Sequence, residues 1–203
     1  MHTINLHNQT MNKNSNNKSG TSHDASPESA SSNQTSLNLT HLNNVINITT
    51  HNVQGLSTTI KQQQLNTFVS ANNIDIMGVS ETKLSKLNAK FLLKNNNNSD
   101  YLSWWDSEGV QMASGVGIII RKQLALHVCS CKSYKGRIIY VDLFFKGKTK
   151  IRIIQFYNYA DLKHKNENLL LYDELFKYIL EAQKLQYYII VMGDFNVKPE
   201  EIT

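Results

Sequence analysis

Two kinds of hydrophobic pattern alternate along the chain after Val45. Short runs of β-branched and aromatic residues predict strands, and longer stretches with apolar residues at helical spacing predict helices. The predicted strands cover residues 46–53, 74–79, 101–105, 116–121, 125–131, 137–146, 150–157 and 187–192. One predicted helix starts after a cap at Thr58 or Thr59, and another covers residues 166–184. Short turns link the strands in the middle of the chain, so the pattern predicts an α/β fold with antiparallel pairing there.

The first part of the chain lacks this pattern. It contains no Phe, Trp or Tyr before Val45 and is rich in Asn, Ser and Thr. Such a segment buries too little apolar surface to offset the entropy that is lost on ordering. Residues 1–45 are therefore predicted to be a disordered extension, and residues 46–203 to form the folded part. The extension has no cluster of basic residues, so its composition is not that of a nucleic-acid-binding arm.

The composition of the whole chain excludes several classes of protein. No apolar run in the 203 residues approaches the length that a membrane-spanning helix needs. The N-terminus lacks a basic region followed by an apolar stretch, so the sequence predicts no secretion and, by default, a nuclear or cytoplasmic location. Two cysteines, Cys129 and Cys131, cannot build a disulfide framework or complete a zinc site. A formal net charge of +5 is compatible with a polyanionic substrate.

Polar side chains follow four of the predicted strands, at the point where each strand ends. They are Asn52, Glu81, Tyr157, and the pair Asp194 and Asn196. Because buried strands form a rigid scaffold, side chains at their ends are well placed for a site. Glu81 could ligate Mg²⁺, which prefers oxygen donors, and Asp194 could orient or deprotonate an attacking water. Each residue could equally end its strand by bonding to the backbone.

The sequences of these segments and their order along the chain resemble the motifs of the endonuclease/exonuclease/phosphatase superfamily. The segments are HNVQGL, VSETK, FYNY and VMGDFN, and they occur in the order that the family's motifs have. ETK and GDFN are the specific motifs, whereas the other two are weak alone. The motif sequences are particularly similar to those of endonuclease domains of non-LTR retrotransposons.

The resemblance implies a four-layer α/β sandwich, in which two mixed sheets pack together with helices outside. It also implies Mg²⁺-dependent hydrolysis of phosphoester bonds, with Mn²⁺ as a substitute ion, and a nucleic-acid substrate, DNA being favoured. Glu81 matches the family's metal-ligating carboxylate, and Asn52 matches the amide that supports the metal site. Tyr157 matches the tyrosine at the scissile phosphate. Asp194 matches the residue that positions or activates the attacking water, and Asn196 matches the amide that binds phosphate.

The sequence departs from the family pattern in three places. Gln54 stands where the family often has Asp or Asn, and Tyr159 and Ala160 stand where Pro and often Asn are expected. The family continues with a further half-domain ending in an S-D-H-like segment, whereas no histidine follows GDFN in this chain. The resemblance therefore implies an incomplete fold, its second half largely missing, and a catalytic set without its Asp and His.

Three interpretations follow from these departures. The chain is a truncated phosphoesterase domain with weak or no activity, a non-catalytic binding or relic protein, or a fragment of a product that continues beyond Thr203. In the first interpretation, residues 187–192 open a half-domain that then stops. The inner face of the first sheet is expected to be uncovered and the edge of that strand unpaired, which predicts self-association through the edge.

Overall fold

Nine strands, four α-helices and two short 3₁₀ helices (Lys146–Lys148 and Leu162–His164) form the regular structure in the computed structural model, which describes residues 2–5, 45–92, 99–108 and 114–197. The strands are β1 (His2–Asn5), β2 (Val45–Asn52), β3 (Ile76–Ser80), β4 (Tyr101–Asp106), β5 (Val116–Arg121), β6 (Val128–Tyr134), β7 (Ile138–Phe144), β8 (Lys150–Tyr157) and β9 (Tyr188–Asp194). The helices are α1 (Thr59–Ala71), α2 (Lys86–Phe91), α3 (Lys122–Ala125) and α4 (Lys165–Lys184). No helix in this part of the chain is long and apolar enough to cross a membrane.

The strands form two mixed sheets. In the first sheet the strand order is β1-β2-β3-β5-β4, and in the second it is β6-β7-β8-β9. Only the pairs β2–β3 and β8–β9 are parallel, and the other pairs are antiparallel. A parallel pair needs a long crossover, which α1 supplies for β2–β3 and α4 supplies for β8–β9. The predicted α/β class and the antiparallel middle of the chain are confirmed.

The two sheets bury each other's inner faces. One apolar cluster contains Ile118 and Ile120 of β5 together with Val141 of β7 and Ile153 of β8. The expectation that the first sheet's inner face is uncovered is therefore wrong. It failed because hydrophobic periodicity does not say which sheet a strand joins, and β6 to β8 build a second sheet with β9 instead of completing the first.

Helices cover the outer face of each sheet. Leu65 and Val69 of α1 are buried against Met77 of β3, on the first sheet. Leu171 and Leu175 of α4 are buried on the second sheet, in the same cluster as Tyr140 and Phe156. The order of layers is helix, sheet, sheet, helix, which confirms the predicted four-layer sandwich.

Two local predictions need correction. β1 lies within the segment predicted to be disordered and pairs antiparallel with β2, with His2 opposite Ile48. For these four residues the prediction is wrong, because the free edge of β2 offers N–H and C=O groups that any backbone can pair with. The rest of residues 1–44 lies outside the described residues, and its disorder stays a prediction. The prediction of a strand at 125–131 is wrong for its first three residues. Helix α3 ends at Ala125, Leu126 is 83% exposed, and β6 begins at Val128.

A buried ion pair joins β7, β8 and α4. Arg152 of β8 donates to both carboxylate oxygens of Asp142, at 2.7 and 2.8 Å. It also donates to the carboxylate of Glu181 at 2.9 Å and to the backbone oxygen of Tyr178 at 3.0 Å. The guanidinium stacks on the ring of Tyr140, 3.8 Å from its centre. A fully buried cation is thus held by two carboxylates, which fixes α4 on its sheet.

Candidate functional site

The polar residues singled out in the sequence lie at one end of the sandwich, where strands of both sheets finish. The Asn52 Nδ2 at the end of β2 donates to the Asp194 Oδ2 at the end of β9, at 3.3 Å, so this hydrogen bond joins the two sheets. A cavity of about 530 Å³ opens there, lined by Asn52, Ser80, Asp194 and Asn196 among others. The parallel pairs β2–β3 and β8–β9 each deliver two strand ends to this edge, which explains why the residues meet.

Glu81 follows β3 in a strained backbone conformation. Its φ is +57°, in the left-handed region that non-glycine residues rarely adopt. The backbone is held there because the Glu81 carbonyl accepts from the Gly55 N–H at 2.7 Å and the Thr82 carbonyl accepts from the Leu56 N–H at 2.8 Å. Strain of this kind persists only where the surroundings impose it, and it clusters at functional sites. The two motif segments HNVQGL and VSETK therefore fix each other's shape.

The charge on Glu81 is stabilised by its neighbours. The Lys83 ammonium, 2.8 Å from the Glu81 Oε1, holds the pKa of this carboxyl below its ordinary value. Hydrogen bonds from Asn52 and Tyr157 lower the pKa further, and partial burial acts in the opposite direction. Glu81 is therefore an ionised oxygen donor at neutral pH.

Tyr157 is buried at the same edge and keeps its proton. Burial raises the pKa of its hydroxyl, the negative charges of Glu81 and Asp194 raise it further, and Arg137 opposes them. The Arg137 guanidinium is itself buried and stacks on Tyr157, 4.5 Å from the ring centre, and on Tyr159, 3.9 Å from that ring centre. A protonated phenol held in this way is a hydrogen-bond donor that faces two carboxylates.

The GDFN turn after β9 is fixed by Asn158, which comes from the FYNY segment. The Asn196 N–H donates to the Asp194 Oδ1 at 3.2 Å, and the Asn196 side chain donates to the Asn158 carbonyl at 2.8 Å. The Asn158 side chain in turn donates to the Phe195 carbonyl at 3.1 Å. Each oxygen of the Asp194 carboxylate thus accepts a hydrogen bond, since Asn52 donates to the second oxygen.

The glycine of GDFN is required because a larger residue would not fit at this position. Gly193 has a φ of +144°, and a Cβ there would overlap the carbonyl oxygen of Phe156 and lie 2.8 Å from its carbon. Only glycine lets β9 approach β8 so closely at this point. The turn that carries Asp194 is therefore set by the backbone of two paired strands.

A polar layer lies beneath the site, between the sheets. The Thr50 hydroxyl donates to the Gln155 Oε1 at 3.0 Å, and the Gln155 amide nitrogen, fully buried, has no hydrogen-bond partner among the described residues. Gln155 fits because β3 has Gly78 opposite it: a Cβ on Gly78 would overlap the Gln155 Oε1 and lie 2.7 Å from its Cδ. Thr50 and Gln155 each precede a site residue by two positions, so they face the same inner side.

The donor set fits a hard cation that takes few protein ligands. In the described part of the chain no group of three or more His, Cys, Asp or Glu side chains could share a metal ion. Mg²⁺, however, is commonly bound through only one or two carboxylates, with water completing its shell. Glu81 offers an ionised carboxylate, and the Lys83 ammonium beside it shows that a positive charge is accommodated at this position.

Two residues of this edge, Arg137 and Asn158, are not among the site residues predicted from the sequence. Arg137 precedes β7 and reaches the site because the Tyr157 N–H donates to its carbonyl at 2.8 Å. Asn158 stands inside a motif but links it to the GDFN turn through contacts that span 37 and 38 positions. Neither has a spacing signal, because both positions follow from how β7, β8 and β9 pair.

The model of the endonuclease/exonuclease/phosphatase family matches residues 49–203. The chain matches none of the curated proteins to which it was compared. Among solved structures, truncated Caenorhabditis elegans TDP2 is similar with a TM-score of 0.52 and 16% identity, covering 70% of this chain and 57% of that one. The Xenopus laevis APE2 catalytic domain is similar with a TM-score of 0.54 and 16% identity, covering 74% and 58%.

A third similar structure is the human Nocturnin catalytic domain with a bound sulfate anion. Its TM-score is 0.51 at 13% identity, and the match covers 76% of this chain and 66% of that one. The chain thus spans less than two thirds of each of these three structures. At identities this low, the similarity shows a shared fold and does not show a shared activity.

Proposed function

The chain belongs to the endonuclease/exonuclease/phosphatase family, whose members are phosphodiesterase- or nuclease-like hydrolases, and from that premise we propose that its site binds a phosphodiester beside Mg²⁺. The proposed substrate is a polynucleotide, a polyanion that suits the net charge of +5. DNA is favoured by the likeness of the motifs to those of retroelement endonucleases. The observation that supports the proposal most directly is the Asn52–Asp194 hydrogen bond, because it brings the HNVQGL and GDFN motifs together at one cavity.

Glu81 and Asn52 are proposed to hold the metal ion. Enzymes of the family generally use divalent metal ions, and Mn²⁺ is expected to replace Mg²⁺ at oxygen donors of this kind. When bound, the ion would stabilise negative charge that develops on the phosphate oxygens. Glu81 is suited to this role because its pKa is lowered and its backbone is fixed. Lys83 is 40% exposed, so its side chain can leave the carboxylate without unpacking the core.

Asp194, Asn196 and Tyr157 are proposed to act on the water and the phosphate. Hydrogen bonds to both oxygens of Asp194 orient its remaining lone pairs, which suits a group that positions or deprotonates a water. One N–H of the Asn196 amide is bound to the Asn158 carbonyl, which leaves the other for a phosphate oxygen. The protonated hydroxyl of Tyr157 is a second donor. Such donors stabilise charge on phosphorus oxygens during in-line attack.

The expected turnover of the 203-residue chain is low. No histidine follows GDFN, and the family pattern places an Asp and a His after that motif. A general acid–base group contributes roughly 10²–10⁴-fold to the rate, so the chain is expected to show at most trace hydrolysis. The sequences of the motifs support a retroelement-type endonuclease as the ancestor.

Metal titration tests the assignment of Glu81. Calorimetric titration with Mg²⁺ and with Mn²⁺ is expected to give binding heat for the wild type and none for Glu81→Gln. Glu108→Gln is the matched control, since Glu108 is an exposed glutamate in an ion pair with Lys86, and it should bind as the wild type does. Equal heats from the wild type and Glu81→Gln would overturn the assignment.

Plasmid nicking tests the assignment of Asp194. Trace nicking is expected in Mg²⁺ and none in EDTA, and the trace should be lost in Asp194→Asn. The control is Asp173→Asn, because Asp173 is exposed on α4, away from the cavity. Nicking that survives in Asp194→Asn would refute the proposed role. Robust nicking that disappears in this variant would support the role and show that another group replaces the histidine.

A further inference from the structure

A second groove begins beside the candidate site, on the outer face of the first sheet. It lies between the end of β2 and α1, has a volume of about 320 Å³, and is lined by His51, Lys61, Gln64 and Phe68 together with aliphatic residues. His51 lines the site cavity as well, so the groove adjoins that cavity across β2. The alternation of side chains along a strand explains the arrangement, because Asn52 faces the site and its neighbour His51 faces α1.

The groove presents an aromatic platform to solvent. The rings of His51 and Phe68 are nearly parallel, at an angle of 25°, with their centres 6.2 Å apart. His51 is exposed and Phe68 is 45% exposed, although a phenylalanine on a helix that covers a sheet is ordinarily buried. Exposed aromatic rings are the surfaces on which the bases of single-stranded nucleic acids stack.

The charge around the platform is positive. Lys61 is the only charged residue of α1, and the rest of the helix's polar surface consists of amides and hydroxyls. The Lys61 Nζ donates to the Gln54 carbonyl at 3.1 Å, and no carboxylate pairs with it within the described ranges. The N-terminus of α1, capped by Thr58, carries the positive end of the helix dipole. The groove therefore favours an anionic ligand with an aromatic part.

We propose that this groove binds an unpaired nucleobase of a single-stranded DNA segment whose backbone passes the candidate site. The base stacks on the His51–Phe68 pair, and Lys61 contacts a neighbouring phosphate. The inference rests on the proposed function in one respect, which is that the ligand of the site is a polynucleotide. It adds a subsite that selects for exposed bases over paired ones.

Two oligonucleotides separate stacking from charge. One is a fluorescein-labelled oligodeoxythymidylate of about 12 nucleotides, within the range of single-strand site sizes. The other has the same length and phosphates but abasic sugars. Anisotropy titrations in EDTA are expected to show tighter binding of the first oligonucleotide. Phe68→Leu should weaken that binding about tenfold, which corresponds to ~1.4 kcal/mol, and leave the abasic oligonucleotide unaffected.

Charge and position are tested by three further variants. Lys61→Gln should weaken both oligonucleotides and reduce the slope of log affinity against log salt by about 0.7. Phe176→Leu is the matched control for Phe68→Leu, because Phe176 is another exposed phenylalanine on a helix, 59% exposed on α4. Lys177→Gln is the control for Lys61→Gln, since Lys177 pairs with Glu174 on α4. Both controls should bind as the wild type does, and thermal melts confirm that all variants are folded.

Three results would overturn the proposal. They are equal wild-type affinity for the thymidylate and abasic oligonucleotides, equal effects of Phe68→Leu and Phe176→Leu, and tighter binding of a duplex than of the single strand. These titrations contain EDTA, so they measure binding in the groove without a metal ion in the site. Failure of the metal titration would therefore refute the proposed metal site and leave the binding result standing, whereas failure of the groove leaves the metal site untouched.

Discussion

Replacing Gly78 by alanine tests how closely the two sheets meet beneath the candidate site. A Cβ on Gly78 would overlap the Gln155 Oε1, and it would lie 2.7 Å from the Gln155 Cδ and 2.8 Å from the Met192 Cε. Gln155 is fully buried and accepts from Thr50, so its amide cannot move without losing that bond. The steric conflict therefore falls on both sides of the new methyl group.

The expected cost follows from three contributions. Overpacking of a core by one carbon costs about 1–3 kcal/mol. Loss of the Thr50–Gln155 hydrogen bond adds ~1 kcal/mol. The lower backbone entropy of alanine in the unfolded chain returns about 0.5–1 kcal/mol. Gly78→Ala should therefore lower the free energy of unfolding by about 2 kcal/mol.

A double-mutant cycle measured by urea unfolding isolates the cause. Gln155→Ala removes the obstructing amide, so Gly78→Ala in that background should cost less than it does in the wild type, with a coupling of about 1–2 kcal/mol. Gly147→Ala is the control, because a Cβ there has no atom within 4 Å and its φ of +79° alone makes the change unfavourable. The cost of Gly147→Ala should be the same in both backgrounds. A Gly78→Ala protein within about 0.5 kcal/mol of the wild type, or costs that simply add, would refute this account of the polar layer.

Three further predictions concern charge and the sheet edge. Glu81→Gln should be less stable than the wild type at neutral pH. Lys83 lowers the pKa of Glu81 in the folded state, so the charged carboxylate stabilises the fold and protonation removes that stabilisation. The stability difference between Glu81→Gln and the wild type should therefore vanish as the pH falls from 4.5 through the folded pKa. An equal difference in acid and at neutral pH, measured by urea unfolding, would contradict this. Arg152→Met should cost about 3–5 kcal/mol of stability, because it leaves the Asp142 carboxylate buried without its cation. Adding Asp142→Leu should restore much of that loss, and a further loss in the double variant would count against the ion-pair explanation. The chain is predicted to self-associate through the outer edge of β9, which is unpaired among the described residues. Tyr188→Lys should weaken that association in sedimentation velocity, because Tyr188 is 65% exposed on β9; a monomeric wild type, or equal association of both proteins, would exclude this edge.

Much of the fold could be predicted because its periodicity is local. β5 and β8 begin and end at the predicted residues, and the parallel pairs follow from helices that have room to cross over. The error at 125–131 arose because Leu124, Ala125 and Leu126 continue the apolar pattern, while a helical turn buries Ala125 and exposes Leu126. The pairing of β1 with β2 has no hydrophobic signal at all, since it depends on backbone groups at a free edge.

The site was less predictable than the fold. Asn52 and Asp194 could be grouped because each ends a strand, and they are in hydrogen-bond contact; their catalytic roles, like those of Glu81, Tyr157 and Asn196, stay predictions. Arg137 gave no signal, since it reaches Tyr157 through the pairing of β7 with β8. The sequence shows which residues end strands, whereas contacts between strands decide which neighbours raise or lower the pKa of those residues.

The hydrogen bond that joins the two sheets also determines when the site can form during synthesis. Asn52 and Asp194 are 142 positions apart, and the Thr50–Gln155 pair beneath them is 105 positions apart. Contacts of such long range form late, because the chain must lose the entropy of a long loop before they are made. On the ribosome, the strands that carry Asn52 and Glu81 are complete well before β9 is translated. The cavity edge therefore acquires Asp194 only after β9 has been translated, and a nascent chain that pauses before β9 has the first sheet without the site.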